Sequence, residues 1–100
     1  MDDVANPPSL DDPRAPVRLC ITVRYFAAAQ AAAGTEEETL TVRPGTTVAD
    51  LVARLATDND DLADVLRRCS YLCDGLAVRD TNAALCNGQI LDVLPPFAGG

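Results

Sequence analysis

Histidine, lysine and tryptophan are all absent from the 100 residues of this chain. The missing histidine removes the side chain that titrates most readily near neutral pH and the commonest metal ligand. The missing lysine removes any ε-amine that could capture an activated acyl group. Chemistry that depends on either side chain is therefore excluded for the residues of this chain.

The cysteines lack the spacing of a metal site. A structural zinc site favours C-x2-C pairs, and a plant-type iron–sulfur site needs C-x4-C-x2-C with a distant fourth ligand. Neither pattern is present, and scattered cysteines without an export signal are typical of reduced thiols buried as small hydrophobes. We therefore expect no metal and reduced, mostly buried thiols at Cys20, Cys69, Cys73 and Cys86. The sequence leaves the accessibility of Cys20 and Cys86 open.

Long apolar runs and a basic N-terminal region are also missing. No uncharged apolar run approaches the roughly 20 residues needed to span a bilayer, and the chain begins Met-Asp-Asp, unlike a secretory signal. The net charge of -7 disfavours phosphate backbones and anionic lipid headgroups as partners. These features predict a soluble, cytoplasmic protein that binds neither nucleic acid nor membranes and favours basic docking surfaces.

The chain has 100 residues, of which 48% are apolar. This length and composition are sufficient for the hydrophobic core of one small domain. Residues 1–16 hold four prolines and four aspartates without an apolar period, which predicts a disordered acidic arm. We expect the folded domain over 17–94 and a flexible tail over 95–100.

The order of the predicted elements is strand, strand, helix and then short strands. Residues 17–26 alternate with a period of two, which predicts a strand, and "AAAQAAAG" predicts a short helical connector closed by Gly34. "ETLTVRP" predicts a second strand that pairs with the first as an antiparallel hairpin. A helix capped by Thr46 or Thr47 follows, with its apolar residues at helical spacing: Val48, Leu51, Val52 and Leu55.

The second half of the domain is predicted to hold a second short helix within 58–69 and then three strands. The Asp74-Gly75 dipeptide predicts a tight hairpin between two of these strands, and Asn87-Gly88 predicts the turn before the last. Together the elements predict an α+β domain in which one main helix covers one face of a mixed sheet.

The last predicted strand, Ile90 to Leu94, leaves apolar residues on the uncovered face. If Leu91 and Val93 face the helix, then Ile90, Asp92 and Leu94 face away, because successive side chains alternate. Exposed apolar groups of this size near Phe26 are typical of a docking surface. We therefore expect this face to bind a partner.

The end of the chain, "LPPFAGG", has the features of an extended segment that inserts into a partner protein. Pro95 and Pro96 stop the sheet and hold the chain extended. The four residues 97–100 then reach about 13 Å at roughly 3.3 Å each. Gly99 and Gly100 have no Cβ to clash with the walls of a narrow site. The reactive group delivered is the α-carboxylate of Gly100, which reacts only after another enzyme activates it.

"VRYFAAAQAAAG", "DGLAVRDTNAALCNGQ" and "LPPFAGG" resemble the small, sulfur-carrying subunit of molybdopterin synthase, in the MoaD/ThiS-like ubiquitin-related family. The resemblance covers 17–100, and its most specific part is Pro-Pro-x-Ala-Gly-Gly at 95–100. It implies a ubiquitin-like β-grasp fold. It also implies that an adenylyltransferase similar to ubiquitin-activating enzymes uses ATP to adenylate Gly100, after which sulfur transfer makes a thiocarboxylate there.

The same resemblance implies the use of that sulfur. The tail enters the large subunit of molybdopterin synthase, in a heterotetramer, and donates sulfur to a cyclic pyranopterin to build the dithiolene of molybdenum cofactor. The carrier itself binds no cofactor, and the catalytic bases belong to its partner. Gly100 is then the reacting residue with Gly99 beside it, and the partner-binding residues are Phe26, Ile90, Leu94, Pro95, Pro96, Phe97 and Ala98.

The chain departs from the family pattern at two places, and three other functions stay open. Family members often have Gly-Asp-Glu where this chain has Gly88-Gln89-Ile90, and an aromatic residue where Leu94 stands. The alternatives are a sulfur carrier for thiazole or cysteine synthesis, a ubiquitin-like protein modifier, and an interaction domain with an incidental tail. The Pro95-Pro96 pair favours the pterin pathway.

Overall fold

The computed structural model describes residues 17–96, so the predicted arm over 1–16 and Phe97, Ala98, Gly99 and Gly100 lie outside the described residues. Within 17–96, no helix is long and apolar enough to cross a membrane. The elements are β1 (Leu19–Tyr25), α1 (Ala27–Ala33), β2 (Glu37–Val42), α2 (Val48–Thr57), α3 (Asp60–Leu66), β3 (Ser70–Cys73), β4 (Leu76–Ala77) and β5 (Ile90–Leu94).

The strands form one mixed sheet in the order β2-β1-β5-β3-β4. The two central strands, β1 and β5, are parallel, and all other neighbours are antiparallel. Tyr25 at the end of β1 pairs with Val93 near the end of β5. The parallel pairing therefore brings the C-terminal ends of both strands to the same end of the sheet, where Pro95 and Pro96 follow β5.

Alternation in β1 separates the two faces as the sequence predicts. Ile21, Val23 and Tyr25 are at most 2% exposed and belong to the core, whereas Cys20 and Arg24 on the opposite face are exposed. The three helices contribute buried apolar residues to that same core. The prediction of an α+β domain with helices on one sheet face is confirmed, and α1 and α3 join the main helix α2 in the helical layer.

Local signals define the helix ends. Thr47 caps α2 through a capping box, in which its hydroxyl accepts from the Asp50 N–H at 3.0 Å and its own N–H donates to the Asp50 carboxylate at 3.1 Å. The Asn59 side chain caps α3 by accepting from the Leu62 N–H. Helix α1 ends at Gly34, whose φ of 80° is the left-handed conformation that glycine adopts without strain.

The β3–β4 turn also follows its sequence signal. Asp74 and Gly75 have φ values of 49° and 84°, and positive φ at both central residues is the signature of the type I′ turn that matches the twist of a two-residue hairpin. The Asp74 carboxylate accepts from the Ile90 N–H at 2.9 Å. The turn is thereby tied to the start of β5.

Two of the four cysteines are exposed, and they are the two whose accessibility the sequence leaves open. Cys20 and Cys86 are exposed, whereas Cys69 and Cys73 are half-buried, and all four thiols are free. Cys20 lies on the open face of β1, and Cys86 lies in the turn before β5, where its N–H donates to the Gln89 side chain. Periodicity cannot identify burial in such a turn. Across 17–96, no group of three or more potential metal ligands could hold an ion.

A buried and a half-buried tyrosine make the fold sensitive to alkaline pH. Burial, a hydrogen bond to Glu38 and the charge of that carboxylate raise the pKa of Tyr25. Burial, with a contribution from Cys69, raises the pKa of Tyr71 to about 12. Both folded-state values exceed the ordinary tyrosine pKa of about 10, so the stabilising contribution is complete below pH ~10 and is lost as pH rises through the folded-state values.

We expect the free energy of unfolding, measured by urea titration, to fall most steeply once the pH exceeds about 10. The Tyr25→Phe/Tyr71→Phe variant should show a shallower fall above that pH. Burial also raises the thiol pKa values of Cys69 and Cys73, so both proteins should share a loss that begins near the ordinary thiol pKa of about 8.5. If the variant and the wild-type protein lost stability in parallel, the tyrosines would not be the titrating groups.

Candidate functional site

An apolar groove lies beside the point where the chain leaves the sheet. It has a volume of about 480 Å³, and Ser70 of β3 is its one polar lining residue. Leu94, the last residue of β5, supplies one wall, and Phe26, which directly follows β1, supplies another. The apolar lining is Phe26, Ala27, Ala28, Leu94, Pro95 and Pro96.

The backbone at Phe26 leaves its side chain available to this groove. Its N–H donates to the Val93 carbonyl at 3.3 Å and its carbonyl accepts from the Ala29 N–H at 3.0 Å. The main chain is therefore held, while the residue as a whole stays 39% exposed. The next residue, Ala27, has a φ of 51°. This left-handed conformation costs an L-residue about 1–2 kcal/mol. It produces the abrupt change from strand to helix that positions the ring at the groove.

The structure brings together four of the residues predicted to bind a partner: Phe26, Leu94, Pro95 and Pro96. Ile90 shares the open face but lies at the other end of β5, where it pairs with Thr22. The four-residue separation along the strand is about 13 Å. The expectation that Ile90 lies near Phe26 is therefore wrong, because alternation assigns the face of a strand but not the position along it.

The open face also holds a bidentate ion pair. Arg24 Nε donates to Asp92 Oδ1 at 2.6 Å, and Arg24 Nη2 donates to Asp92 Oδ2 at 2.9 Å. Asp92 is only 5% exposed, although its side chain is on the face that no helix covers. The guanidinium therefore covers the carboxylate and satisfies both of its oxygens.

The carboxylates near Arg24 come from the two strands that flank β1, namely β5 with Asp92 and β2 with Glu37. The hydrogen bond to Asp92, then the charge of Asp92 and the charge of Glu37 raise the pKa of Arg24. Glu37 lies directly opposite Arg24 in the β1–β2 register. The Arg24 guanidinium carbon also lies 5.8 Å from the centre of the Phe26 ring, within cation–π range. Arg24 thus links the ion pair to the groove.

Sequence reasoning placed Asp92 on the open face but missed its burial and its partner. The available signal was a carboxylate between apolar neighbours in β5 and an arginine at an outward-facing position of β1. Joining the two required the parallel register that sets Arg24 opposite Asp92. The completed arrangement can bind another protein through apolar contact in the groove and hydrogen-bond donors beside it.

The sheet order and the helical layer define a ubiquitin-like β-grasp fold. A model of the ThiS family matches residues 23–100, and the chain belongs to this family. The molybdopterin synthase sulfur carrier subunit of Chlamydomonas reinhardtii is 31% identical over 81 residues, which are 80% of this chain and 98% of that relative. The prediction of the family from the sequence is confirmed.

Two solved structures have the same fold. The solution structure of a Haloferax volcanii protein has a TM-score of 0.76 at 26% identity, over 95% of this chain and 99% of that one. A chain in the complex of subunits 1 and 2 of the molybdopterin-converting factor from Helicobacter pylori has a TM-score of 0.59 at 21% identity, over 82% of this chain and 100% of that one. The second similarity concerns the fold alone.

Proposed function

We propose that this chain is the sulfur carrier of a molybdopterin synthase, with the sulfur held at the carboxyl group of Gly100. The observation that carries the proposal is the apolar groove formed by Phe26, Leu94, Pro95 and Pro96 at the base of the tail. A partner that fills this groove is positioned to receive the chain that follows Pro96. Membership of the ThiS family and the name of the algal relative support the same assignment.

The proposed chemistry begins with activation of the tail. A partner adenylyltransferase joins the Gly100 carboxylate to the AMP of ATP, which releases pyrophosphate. Sulfur at the oxidation level of hydrosulfide then attacks the carbonyl carbon. A carbon–sulfur bond forms and the carbon–oxygen bond to AMP breaks, so one carboxylate oxygen leaves with AMP. The product is a thiocarboxylate at Gly100.

Transfer restores the carrier. The thiocarboxylate sulfur attacks a carbon of a cyclic pyranopterin held by the large synthase subunit. A carbon–sulfur bond forms there while a carbon–oxygen bond of the same pterin carbon breaks, and the departing oxygen takes up a proton. Water then adds to the acyl carbon of Gly100 and cleaves the acyl–sulfur bond. The sulfur stays on the pterin and the carrier regains its carboxylate. Each cycle delivers one sulfur, so a dithiolene requires two loaded carriers. In this scheme the chain supplies docking and reach, and the partner supplies the acids and bases.

A transfer assay tests the proposal. Thiocarboxylated protein is incubated separately with a large molybdopterin synthase subunit plus cyclic pyranopterin, with a thiazole synthase and with a cysteine synthase that uses carrier-bound sulfur. We expect stoichiometric loss of sulfur from the carrier only in the pterin reaction, with matching gain by the pterin. Preferred transfer to either other acceptor would contradict the assignment, as would isopeptide linkage of Gly100 to target lysines in place of sulfur transfer.

A further inference from the structure

The Arg24–Asp92 pair keeps hydrogen-bonding capacity on the open face of the sheet. Arginine carries five N–H donors. Among residues 17–96, Asp92 takes two of them, which leaves three without a partner in this part of the chain. The Arg24 side chain is 44% exposed, whereas that of Asp92 is only 7% exposed. The remaining donors are therefore on the accessible member of the pair.

Fold stability alone gives little reason for a charge pair at this position. Burying a carboxylate carries a desolvation cost, and replacing such a pair by apolar residues of similar size is often neutral or stabilising. The β5 positions that share the open face with Asp92 are filled by the apolar residues Ile90 and Leu94. A role in recognition explains the pair better than a role in packing.

The pair also holds the guanidinium in one orientation. Asp92 fixes one edge of the planar group through two hydrogen bonds, and the Phe26 ring lies 5.8 Å from its central carbon. Phe26 is at the same time a wall of the groove. Because little side-chain freedom is left to lose, a partner gains more from each hydrogen bond to this arginine.

We propose that Arg24 is a specificity-determining residue of the docking surface, and that its outer N–H groups bind an uncharged oxygen of the protein that fills the groove. The oxygen is a main-chain carbonyl or an amide side chain. Two carboxylates, Asp92 and Glu37, already lie near this guanidinium. A third carboxylate from the partner would meet their repulsion, whereas a neutral oxygen would not.

The inference rests on the proposed function, since it takes the large synthase subunit as the protein in the groove. It goes further because it names the donor groups, the outer N–H groups of Arg24, and the acceptor on the partner, an uncharged oxygen. Truncation of buried arginines at interfaces commonly costs affinity well beyond that of the surrounding contacts. Arg24 is therefore expected to matter more than other surface arginines of the chain.

The test measures the dissociation constant between the full-length carrier and a large molybdopterin synthase subunit by calorimetry. The Arg24→Leu/Asp92→Leu variant removes the donors without leaving a buried charge unpaired. We expect its affinity to fall by about tenfold while its melting temperature stays at or above that of the wild-type protein. The control Arg43→Leu removes one guanidinium at the opposite end of the sheet, because Arg43 follows Val42, which pairs with Leu19 at the start of β1. It should change affinity by less than about twofold.

A second variant, Arg24→Lys, keeps the charge beside Asp92 but loses the planar fork, and we expect it to bind about tenfold more weakly as well. Wild-type affinity in the folded double variant would overturn the inference. Full affinity in Arg24→Lys would also overturn it, because charge alone would then suffice. Failure of the wild-type carrier to bind the large subunit would instead refute the proposed function, so the two failures are distinguishable.

Discussion

Adding one alanine after Gly100 should reduce sulfur transfer by at least about 100-fold and leave the fold unchanged. The extra residue displaces the reactive carboxyl group by about 3.5 Å along an extended chain, and misplacement by even 1 Å can cost about 100-fold in rate. The added Cβ would also enter the space that Gly99 and Gly100 leave free. The measurement is the rate of pterin sulfuration with the large synthase subunit.

The matched control adds the same alanine before Met1, at the other end of the chain, and should transfer sulfur at the wild-type rate. Both extended proteins should melt at the wild-type temperature, because neither addition touches the core that lies within 17–96. A carrier extended after Gly100 that still transferred sulfur at the wild-type rate would show that the reacting group need not be the carboxylate of Gly100.

Replacing Phe26 by alanine should weaken binding to the large synthase subunit by about 30-fold, equivalent to about 2 kcal/mol. The ring is a wall of the groove and the aromatic neighbour of Arg24, so its loss removes apolar contact and frees the guanidinium. Since Phe26 is already 39% exposed, removal of its ring leaves no large cavity. The fold should therefore survive.

Leu76→Ala is the control for this substitution. Leu76 is 75% exposed in β4, at the edge of the sheet, and it takes no part in the groove. Calorimetry should show that this variant binds within about twofold of the wild-type carrier. Equal losses of affinity in the two variants would mean that the docking surface is not centred on the groove.

The sequence predicts most of the local structure because its signals are themselves local. The period of two in β1, the threonine cap of α2 and the Asp74-Gly75 turn each depend on residues within one element. Each of these predictions is confirmed. The family could be predicted from the sequence for a similar reason, because its motifs are short runs of neighbouring residues.

What the sequence does not predict depends on pairing between distant segments. Arg24 and Asp92 are 68 residues apart, and only the register of the parallel strands joins them. Leu85 is 4% exposed within a segment that has no helix or strand pattern, because its N–H donates to the Thr46 carbonyl at 2.8 Å and the segment is held against the start of α2. Such contacts are set by tertiary packing.

The mass of the C-terminal peptide, isolated from cells that make molybdenum cofactor, tests the central claim most directly. The account predicts a population of this peptide in which one oxygen of Gly100 is replaced by sulfur. That population should increase when the large synthase subunit is removed, because the sulfur then has no acceptor. A terminal carboxylate that never carries sulfur, in cells with an active adenylyltransferase, would contradict the account.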